Sequence, residues 1–411
     1  MSNSAIDEYL ARLLDLIMEA PRRTPFYVYD VDSALSRLEQ LKSLVGDWVD
    51  IYYAVKANPN ISLLNKLLPA VDGVDVASLG EVVKAIESGF DCNNISFAGP
   101  GKTTEELEAA VKNRIGVISI ESFNELLRLE EVATKHRSNQ DVVIRINPKT
   151  VIKEFALKMG GGSSPFGIDQ EEIERVFTQL DECKHLTFKG IHVYAGTQCL
   201  KSDALAENFE SILNIALELE ELLNVRVDTI NFGGGFGIPY LLGDKEVDPA
   251  IPLEHLRSIL EVENQGRKRF LRRKAIIELG RYIIGEFGLY VTKITDKKIS
   301  RGKEICILDG GLNHHLAATG NFGQVIRRNY KLVNLTKYGK DCKRKEVDVV
   351  GPLCTSIDKF GTIELDDPEI GDWIGVQNSG AYAYSASPKD FLSHRYPDEY
   401  IIFDNKMQGA A

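Results

Sequence analysis

The chain has 411 residues, a length that suits one large barrel with a smaller second domain. Its 49 basic and 60 acidic residues leave a formal net charge of −11, so we expect no binding to nucleic acid or to an anionic membrane surface. No apolar run approaches the ~20 residues of a membrane span. Six scattered cysteines without a Cys-x-x-Cys pair favour reduced thiols over disulfides or a metal site. These features predict a cytoplasmic protein without a metal.

Strand-like and helix-like patterns alternate along the first two thirds of the chain. After an isolated run at 26–29, eight β-branched or aromatic runs are typical of buried strands, near 51–55, 73–77, 95–98, 115–120, 141–146, 187–194, 227–232 and 274–278. The segments between them have apolar residues at helical spacing, most extensively over 204–223. Such alternation implies parallel strands with helical crossovers, and eight strands predict a closed (β/α)8 barrel of the TIM type. An open doubly wound sheet is the alternative.

The pattern changes after about Gly280. Glycines, turn residues and short strand-like runs replace the helical spacing, as at 305–308, 347–350 and 373–376. We therefore expect the α/β fold class, with a (β/α)8 barrel over 31–282 and a C-terminal mostly-β domain over 283–411. Residues 1–30 are expected to pack against that second domain.

Reactive and glycine-rich segments follow seven of the eight predicted strands, at the end where barrel enzymes place their chemistry. They are Lys56, Asp75, the turn 99–102, Arg145, His192, the turn 233–237 and the Glu278–Arg281 segment. In a closed barrel these ends meet at one mouth. The sequence therefore predicts a single site there.

Lys56 follows an apolar strand, where lysine is usually excluded. A partly desolvated lysine has a lowered pKa, which frees its amine for a covalent bond to an aldehyde. A surface lysine with a buried stem is the plainer alternative. Similarly, His192 is either a hydrogen-bonded core histidine or a ring stacked on a planar cofactor.

The turn at 233–237 lacks the last glycine of a dinucleotide-binding fingerprint, since Ile238 and Pro239 follow it. The turn after the seventh barrel strand is the usual place for a phosphate cradle of backbone N–H groups. Glu278 either pairs with Arg281 or faces a heterocyclic nitrogen and keeps it protonated.

These motifs, in their order and spacing, resemble those of the barrel-type (fold III) pyridoxal-phosphate-dependent amino-acid decarboxylases, the superfamily of ornithine and diaminopimelate decarboxylases. The resemblance runs from about residue 24 to about residue 394. It rests on the segments 53–58, 75–78, 233–237, 278–281, 354–358 and 380–382 together with His192. Within the superfamily, the segments 158–161, 191–198 and 351–355 are similar to the butirosin-type L-glutamyl–acyl-carrier-protein decarboxylase. The segments 309–315 and 320–330 are similar to exosortase-associated decarboxylases.

The resemblance implies pyridoxal 5′-phosphate as the cofactor. Lys56 would hold it covalently, His192, oriented by Asp75, would pack on its ring, and Glu278 would pair with its ring nitrogen. Arg145 would lie near the phenolic oxygen. The phosphate would contact the remaining residues of the predicted site, which are Gly233, Gly234, Gly235, Phe236, Gly237, Gly280, Arg281 and Tyr382.

The resemblance also implies a homodimer with shared active sites. Cys354 and Asp358 would come from the partner subunit. Cys354 would protonate the former α-carbon, although a small buried hydrophobic cysteine is the alternative. Asp358, Arg328 and Tyr330 would contact the substrate.

One departure bears on the substrate. Where diaminopimelate decarboxylases typically have Cys-Glu-Ser-Gly-Asp, this chain has Thr355 and Ile357 in place of the glutamate and glycine. A site without that carboxylate recognises a distal ammonium poorly. The predicted activity is therefore that of a carboxy-lyase acting at the α-carbon of an amino acid or of an amino-acyl conjugate such as a carrier-protein thioester. The alternatives are decarboxylation of free diaminopimelate, ornithine or lysine, a racemase with the same barrel, and a non-catalytic decarboxylase-like or phosphate-sensing protein.

Overall fold

The computed structural model describes residues 3–19, 22–150, 152–241, 243–266, 273–320 and 330–410. The strands in these ranges are β1 Phe26–Asp30, β2 Asp50–Ala54, β3 Gly73–Val76, β4 Ile95–Phe97, β5 Val117–Ile120, β6 Gln140–Asn147, β7 Leu157–Lys158, β8 Ile168–Asp169, β9 Leu186–His192, β10 Gly196–Thr197, β11 Thr229–Asn231, β12 Lys274–Leu279, β13 Gly288–Ser300, β14 Lys303–Leu308, β15 Leu332–Asn334, β16 Arg344–Val350, β17 Lys359–Asp366, β18 Trp373–Val376, β19 Asp398–Phe403 and β20 Lys406–Gly409.

Helices connect most of the strands in the first two thirds of the chain. They are α1 Asn3–Met18, α2 Val31–Val45, α3 Ile61–Leu67, α4 Leu79–Glu87, α5 Thr104–Lys112, α6 Phe123–His136, α7 Ile173–Leu180, α8 Ser202–Leu223, α9 Ala250–Gly266 and α10 Arg281–Ile284. None of the helices in the described ranges is apolar over a stretch long enough to cross a membrane.

Eight parallel strands form a closed barrel, in the order β5, β4, β3, β2, β12, β11, β9 and β6. The pairing of β5 with β6 completes the ring, with Ser119 opposite Val143. This closure confirms the predicted (β/α)8 fold and excludes the open doubly wound sheet. The barrel lies in a compact unit of residues 35–238 and 247–282.

Local sequence signals explain where the barrel helices begin. Ser78 and Ser122 cap α4 and α6, each accepting a backbone N–H three residues later. Thr103 and Glu106 form a reciprocal capping box at the start of α5. Such caps satisfy N–H groups that a helix end leaves without partners. Each helix therefore begins at a defined distance after a strand, which fixes the length of the turn at the barrel mouth.

The second compact unit contains residues 1–34, 239–246 and 283–411. Its sheet runs in the order β17, β16, β14, β13, β1, β19 and β20, and β18 also pairs with β13. β1 runs antiparallel to β13 and parallel to β19, so the amino-terminal strand lies inside this sheet. Phe26, Leu289 and Ile402 from these strands join Leu13 and Ile17 of α1 in a buried apolar cluster.

Candidate active site

Lys56 lies at the mouth of the barrel, in a 3-10 turn that directly follows β2. Its Nζ is 3.7 Å from Asp75 Oδ2 at the end of the neighbouring strand β3, and 38% of its side chain is exposed. The same Nζ lies 5.2 Å from the centre of the Tyr194 ring. The amine is thus held between a carboxylate and an aromatic ring while part of it faces the mouth.

Asp75 is the buried member of this ion pair, with 1% of its surface exposed. Burial and the negative charge of Glu278 raise the pKa of Asp75 well above its usual range, and Lys56 opposes both effects. Asp75 Oδ1 has no hydrogen-bond partner among the described residues. The site therefore contains an acceptor that the described part of the chain does not use.

Glu278, at the end of β12, is held by the neighbouring strand. Asn231 Nδ2 donates to Glu278 Oε1 over 2.5 Å. His192 Nε2 lies 3.6 Å from the same oxygen, and all three side chains are buried. A carboxylate fixed in this way can hold a proton on a heterocyclic nitrogen, which is one of the two roles that the sequence leaves open for Glu278.

A side chain on β5, the fourth barrel strand in chain order, orients His192. Its Nδ1 lies 3.0 Å from Ser119 Oγ on β5, whereas the family resemblance implies Asp75 in this orienting role. Burial and then the charges of Arg145 and Lys56 lower the pKa of His192 well below its usual range. Its Nε2 forms no hydrogen bond within the described ranges. The ring is therefore neutral and fixed at one nitrogen.

Arg145, near the end of β6, is clamped by a buried carboxylate. Its guanidinium donates to Glu121 Oε1 over 2.7 Å and lies 5.0 Å from the centre of the Phe166 ring. Glu121 also accepts the backbone N–H groups of Gly99 over 2.5 Å and Gly167 over 3.3 Å. One acid thus fixes the guanidinium and two turns at the mouth.

The glycine turn presents backbone rather than side chains. Gly233 and Gly235 have φ angles of +61° and +100°, which favour glycine. A β-carbon on Gly234 would lie 1.9 Å from the carbonyl oxygen of Glu278, and one on Gly237 would lie 2.8 Å from that of Cys199. The tight turn therefore has the form of a backbone cradle for an anion.

The other residues predicted around the phosphate, Phe236, Gly280 and Arg281, lie in the same unit as the glycine turn. Phe236 is buried, and its ring packs against those of Phe209 and Tyr282. A β-carbon on Gly280 would lie 2.7 Å from Ala57 Cβ, so glycine allows close approach to the turn that carries Lys56. Arg281 begins α10 immediately afterwards.

The remaining predicted site residues belong to the second unit. Cys354 is exposed, Tyr382 is half-buried, and Tyr330 is buried with its ring 5.0 Å from that of Tyr240. Asp358 is 3% exposed, and its two oxygens accept backbone N–H groups at 2.6 and 2.8 Å. This geometry gives Asp358 a role in shaping its own turn, and its contact with substrate stays a prediction. Arg328 lies outside the described residues.

Three residues of the site were not singled out from the sequence. Ser119 and Glu121 lie at the end of β5, the one predicted barrel strand to which no functional side chain was assigned. Asn231 precedes the glycine turn by two residues. The rule that barrel strand ends carry function points to the positions of these residues, but their roles depend on the side chains that the neighbouring strands place opposite them.

The barrel mouth fits a cofactor with an aldehyde, a ring nitrogen and a phosphate. Lys56 offers an amine, Glu278 a carboxylate, and the turn 233–237 an anion cradle. Asp75 Oδ1 and His192 Nε2 are buried polar atoms with capacity left for a ligand. A buried polar atom without a partner costs about 1–3 kcal/mol, which a bound polar ligand would offset.

Comparison with known families decides between the alternative functions considered for the barrel mouth. A family model for the pyridoxal-binding domain of pyridoxal-dependent decarboxylases matches residues 31–285. The chain belongs to this family. Pyridoxal 5′-phosphate is the cofactor that membership in the family implies, and the predicted superfamily and carboxy-lyase class are confirmed.

Individual relatives of this decarboxylase agree. L-glutamyl-[BtrI acyl-carrier protein] decarboxylase of Niallia circulans is 37% identical over 384 residues, covering 92% of this chain and 88% of that protein. Diaminopimelate decarboxylase of Bacteroides thetaiotaomicron is 30% identical over 367 residues, covering 88% and 91%. The crystal structure of Helicobacter pylori diaminopimelate decarboxylase complexed with L-lysine superposes with a TM-score of 0.83 at 27% identity, covering 96% and 95%. The decarboxylase therefore acts on an amino acid or an amino-acyl conjugate.

Proposed function

We propose that this decarboxylase removes the α-carboxyl group of an amino-acyl conjugate, with a glutamyl group on a carrier-protein thioester as the preferred class. The observation that carries the proposal is the convergence of Lys56, Asp75, Glu278 and His192 on one barrel mouth. When bound there, pyridoxal phosphate supplies an electron sink for the pair left behind by CO₂.

The chain's own residues divide the remaining work. Glu278, fixed by Asn231, would keep a proton on the ring nitrogen, and neutral His192 would pack on the ring face. Lys56 would hold the aldehyde carbon and release it to the substrate amine. Arg145, fixed by Glu121, would stand near the phenolic oxygen. The turn 233–237, with Gly280 and Arg281, would hold the phosphate, and the phosphate contact of Tyr382 stays a prediction.

The conjugate is supported by the segment after Cys354. It has Thr355 where a glutamate would bind a distal ammonium, and the next apolar residue, Ile357, is 52% exposed. A linked glutamyl group has no distal ammonium to satisfy. The relative with 37% identity bears the name of a carrier-protein glutamyl decarboxylase. The second candidate is a free diamino acid such as diaminopimelate, favoured by the lysine bound in the Helicobacter pylori structure.

A homodimer with shared sites is part of the proposal. Cys354 is exposed on its own unit, which leaves its thiol available to a second copy. From the partner it would deliver a proton to the former α-carbon. All six cysteines are free thiols, in support of the predicted reducing, cytoplasmic location.

The first experiment measures CO₂ release by the pyridoxal-phosphate-loaded protein from a glutamyl carrier-protein thioester, meso-diaminopimelate, ornithine, lysine and arginine. We expect turnover of the thioester, and loss of the cofactor's visible absorbance band in Lys56→Ala but not in the surface variant Lys112→Ala. Turnover of a free diamino acid alone would contradict the conjugate. A band that persists in Lys56→Ala would contradict the covalent role of Lys56.

The dimer is tested by mixing two inactive variants, Lys56→Ala and Cys354→Ala. If each site combines Lys56 of one subunit with Cys354 of the other, random exchange restores about a quarter of the wild-type activity. Mixing two preparations of Lys56→Ala is the control and should restore none. Absence of recovery after demonstrated subunit exchange would contradict shared sites.

A further inference from the structure

The side-chain amide of Asn231 donates a hydrogen bond at one end and accepts one at the other. Its Nδ2 donates to Glu278 Oε1 over 2.5 Å, and its Oδ1 accepts the backbone N–H of Gly233 over 2.9 Å. The side chain is buried between these two groups. A carboxylate has no donor, and a flipped amide would face each partner with the wrong atom. The two contacts therefore require an amide in one orientation.

The proposed function assigns the two groups that Asn231 joins to different parts of the cofactor. Glu278 would meet the ring nitrogen, and Gly233 begins the turn that would hold the phosphate. We propose that Asn231 is a positioning residue that fixes the Glu278 carboxylate relative to the phosphate turn. This inference rests on the proposed function and extends it to a residue that does not itself touch the reacting atoms.

The donor on Glu278 matters because other charges surround the carboxylate. Glu278 faces Asp75 on β3 and lies 3.6 Å from His192 on β9. Asp75 in turn interacts with Lys56 after β2, Glu81 on α4 and Arg145 on β6. Glu278 and Asp75 repel each other when both are ionised. A hydrogen bond donated to a carboxylate favours its ionised form. The amide of Asn231 supplies that bond without adding another charge.

Asn231→Asp separates the two contacts. Either oxygen of the new carboxylate can still accept the Gly233 N–H, but the side opposite Glu278 loses its donor. Two carboxyl groups at this distance share one proton at low pH, and the shared proton reproduces the wild-type bond. As the pH rises the proton leaves, and attraction is replaced by repulsion. Cofactor affinity of Asn231→Asp should therefore fall with rising pH.

The experiment titrates cofactor-free protein with pyridoxal phosphate and follows its fluorescence across pH. We expect Asn231→Asp to bind within about twofold of wild type near pH 6, and about tenfold or more weakly near pH 8.5. Asn231→Leu should bind weakly at both. Asn214→Asp adds the same charge at an exposed position on α8 and should follow wild type. A second readout is the melting temperature of the cofactor-free protein, which should fall with rising pH only in Asn231→Asp.

The double variant Asn231→Asp, Glu278→Gln reverses the polarity of the bond and guards against misfolding of the single variant. Its glutamine can donate to the aspartate, so the added pH dependence should disappear. If the affinity of Asn231→Asp for pyridoxal phosphate depends on pH as that of wild type does, or is weaker by the same factor at every pH, the positioning role is overturned. Failure of the wild-type protein to bind pyridoxal phosphate would instead overturn the proposed function, and this inference with it.

Discussion

At the scale of single residues, the site depends on neutral partners that orient charged or aromatic ones. Ser119 orients His192, and Asn231 orients Glu278. Lys56, Glu278 and His192 could be named from the sequence because such residues are rare at buried strand ends. Ser119 and Asn231 could not, since serine and asparagine are common and their roles depend on what the neighbouring strand brings opposite them.

Removing the Ser119 hydroxyl should destabilise the barrel. Ser119→Ala leaves His192 Nδ1 buried without its partner, which should lower the free energy of unfolding by about 1–3 kcal/mol. Ser96, buried on the adjacent strand β4, has a hydroxyl with no hydrogen-bond partner in the described ranges, so Ser96→Ala should change it by less than about 0.5 kcal/mol. Urea unfolding of the cofactor-free variants measures both. Equal losses would show that the bond to His192 contributes nothing.

At the scale of elements, all eight barrel strands could be predicted from their β-branched and aromatic runs. The two-residue strands β7, β8 and β10 could not, because pairs such as Gly196 with Lys158 form only after the barrel brings their segments together. Helix α1 was also not predicted. The role of its apolar residues Leu13 and Ile17 is visible only in the structure, where they pack against the sheet.

Gly190 illustrates how closely the strands approach. A β-carbon there would lie 1.7 Å from the carbonyl oxygen of Thr229, and pairing with β6 and β11 holds the backbone on both sides. Gly190→Ala should cost at least about 3 kcal/mol or prevent folding. Gly101→Ala, with nothing within 4 Å of its β-carbon, should change stability by less than about 0.5 kcal/mol. Thermal unfolding midpoints decide, and similar midpoints for the two variants would contradict the close approach.

At the scale of the whole molecule, both units contain histidines that are buried in neutral form. Burial lowers the pKa of His315 to about 3 and that of His314 to about 4, and it lowers the pKa of His192 as well. Ala318 donates its backbone N–H to His315 Nδ1, so the proton is on Nε2 and is donated to Ser379 Oγ over 2.9 Å. Charging this ring would break the first bond.

The protein should therefore lose stability in mild acid. Below about pH 6.5 an unfolded histidine binds a proton that the folded one excludes, which costs about 1.4 kcal/mol per pH unit for each ring. His315→Gln should have a smaller loss than wild type as the pH falls from about 6.5 to 4. Urea unfolding across this range measures the difference. The free energy of unfolding of the two proteins should have the same pH dependence between about pH 7.5 and 8.5. The same pH dependence of the two proteins in acid would contradict the burial of a neutral ring.

The pairing of β1 with β19 has a consequence for synthesis on the ribosome. The register joins Phe26 to Asp398, so the first strand made waits for almost the last one, while every barrel strand emerges between them. The barrel can close once β12 has left the exit tunnel, whereas the sheet of the second unit stays incomplete until β19 and β20 have also emerged. A nascent chain released before β19 would lack β20 as well and would expose the unpaired edge of β1 to other chains. Premature stop codons before β19 should therefore yield chains whose barrel is complete but which aggregate through the exposed edge of β1.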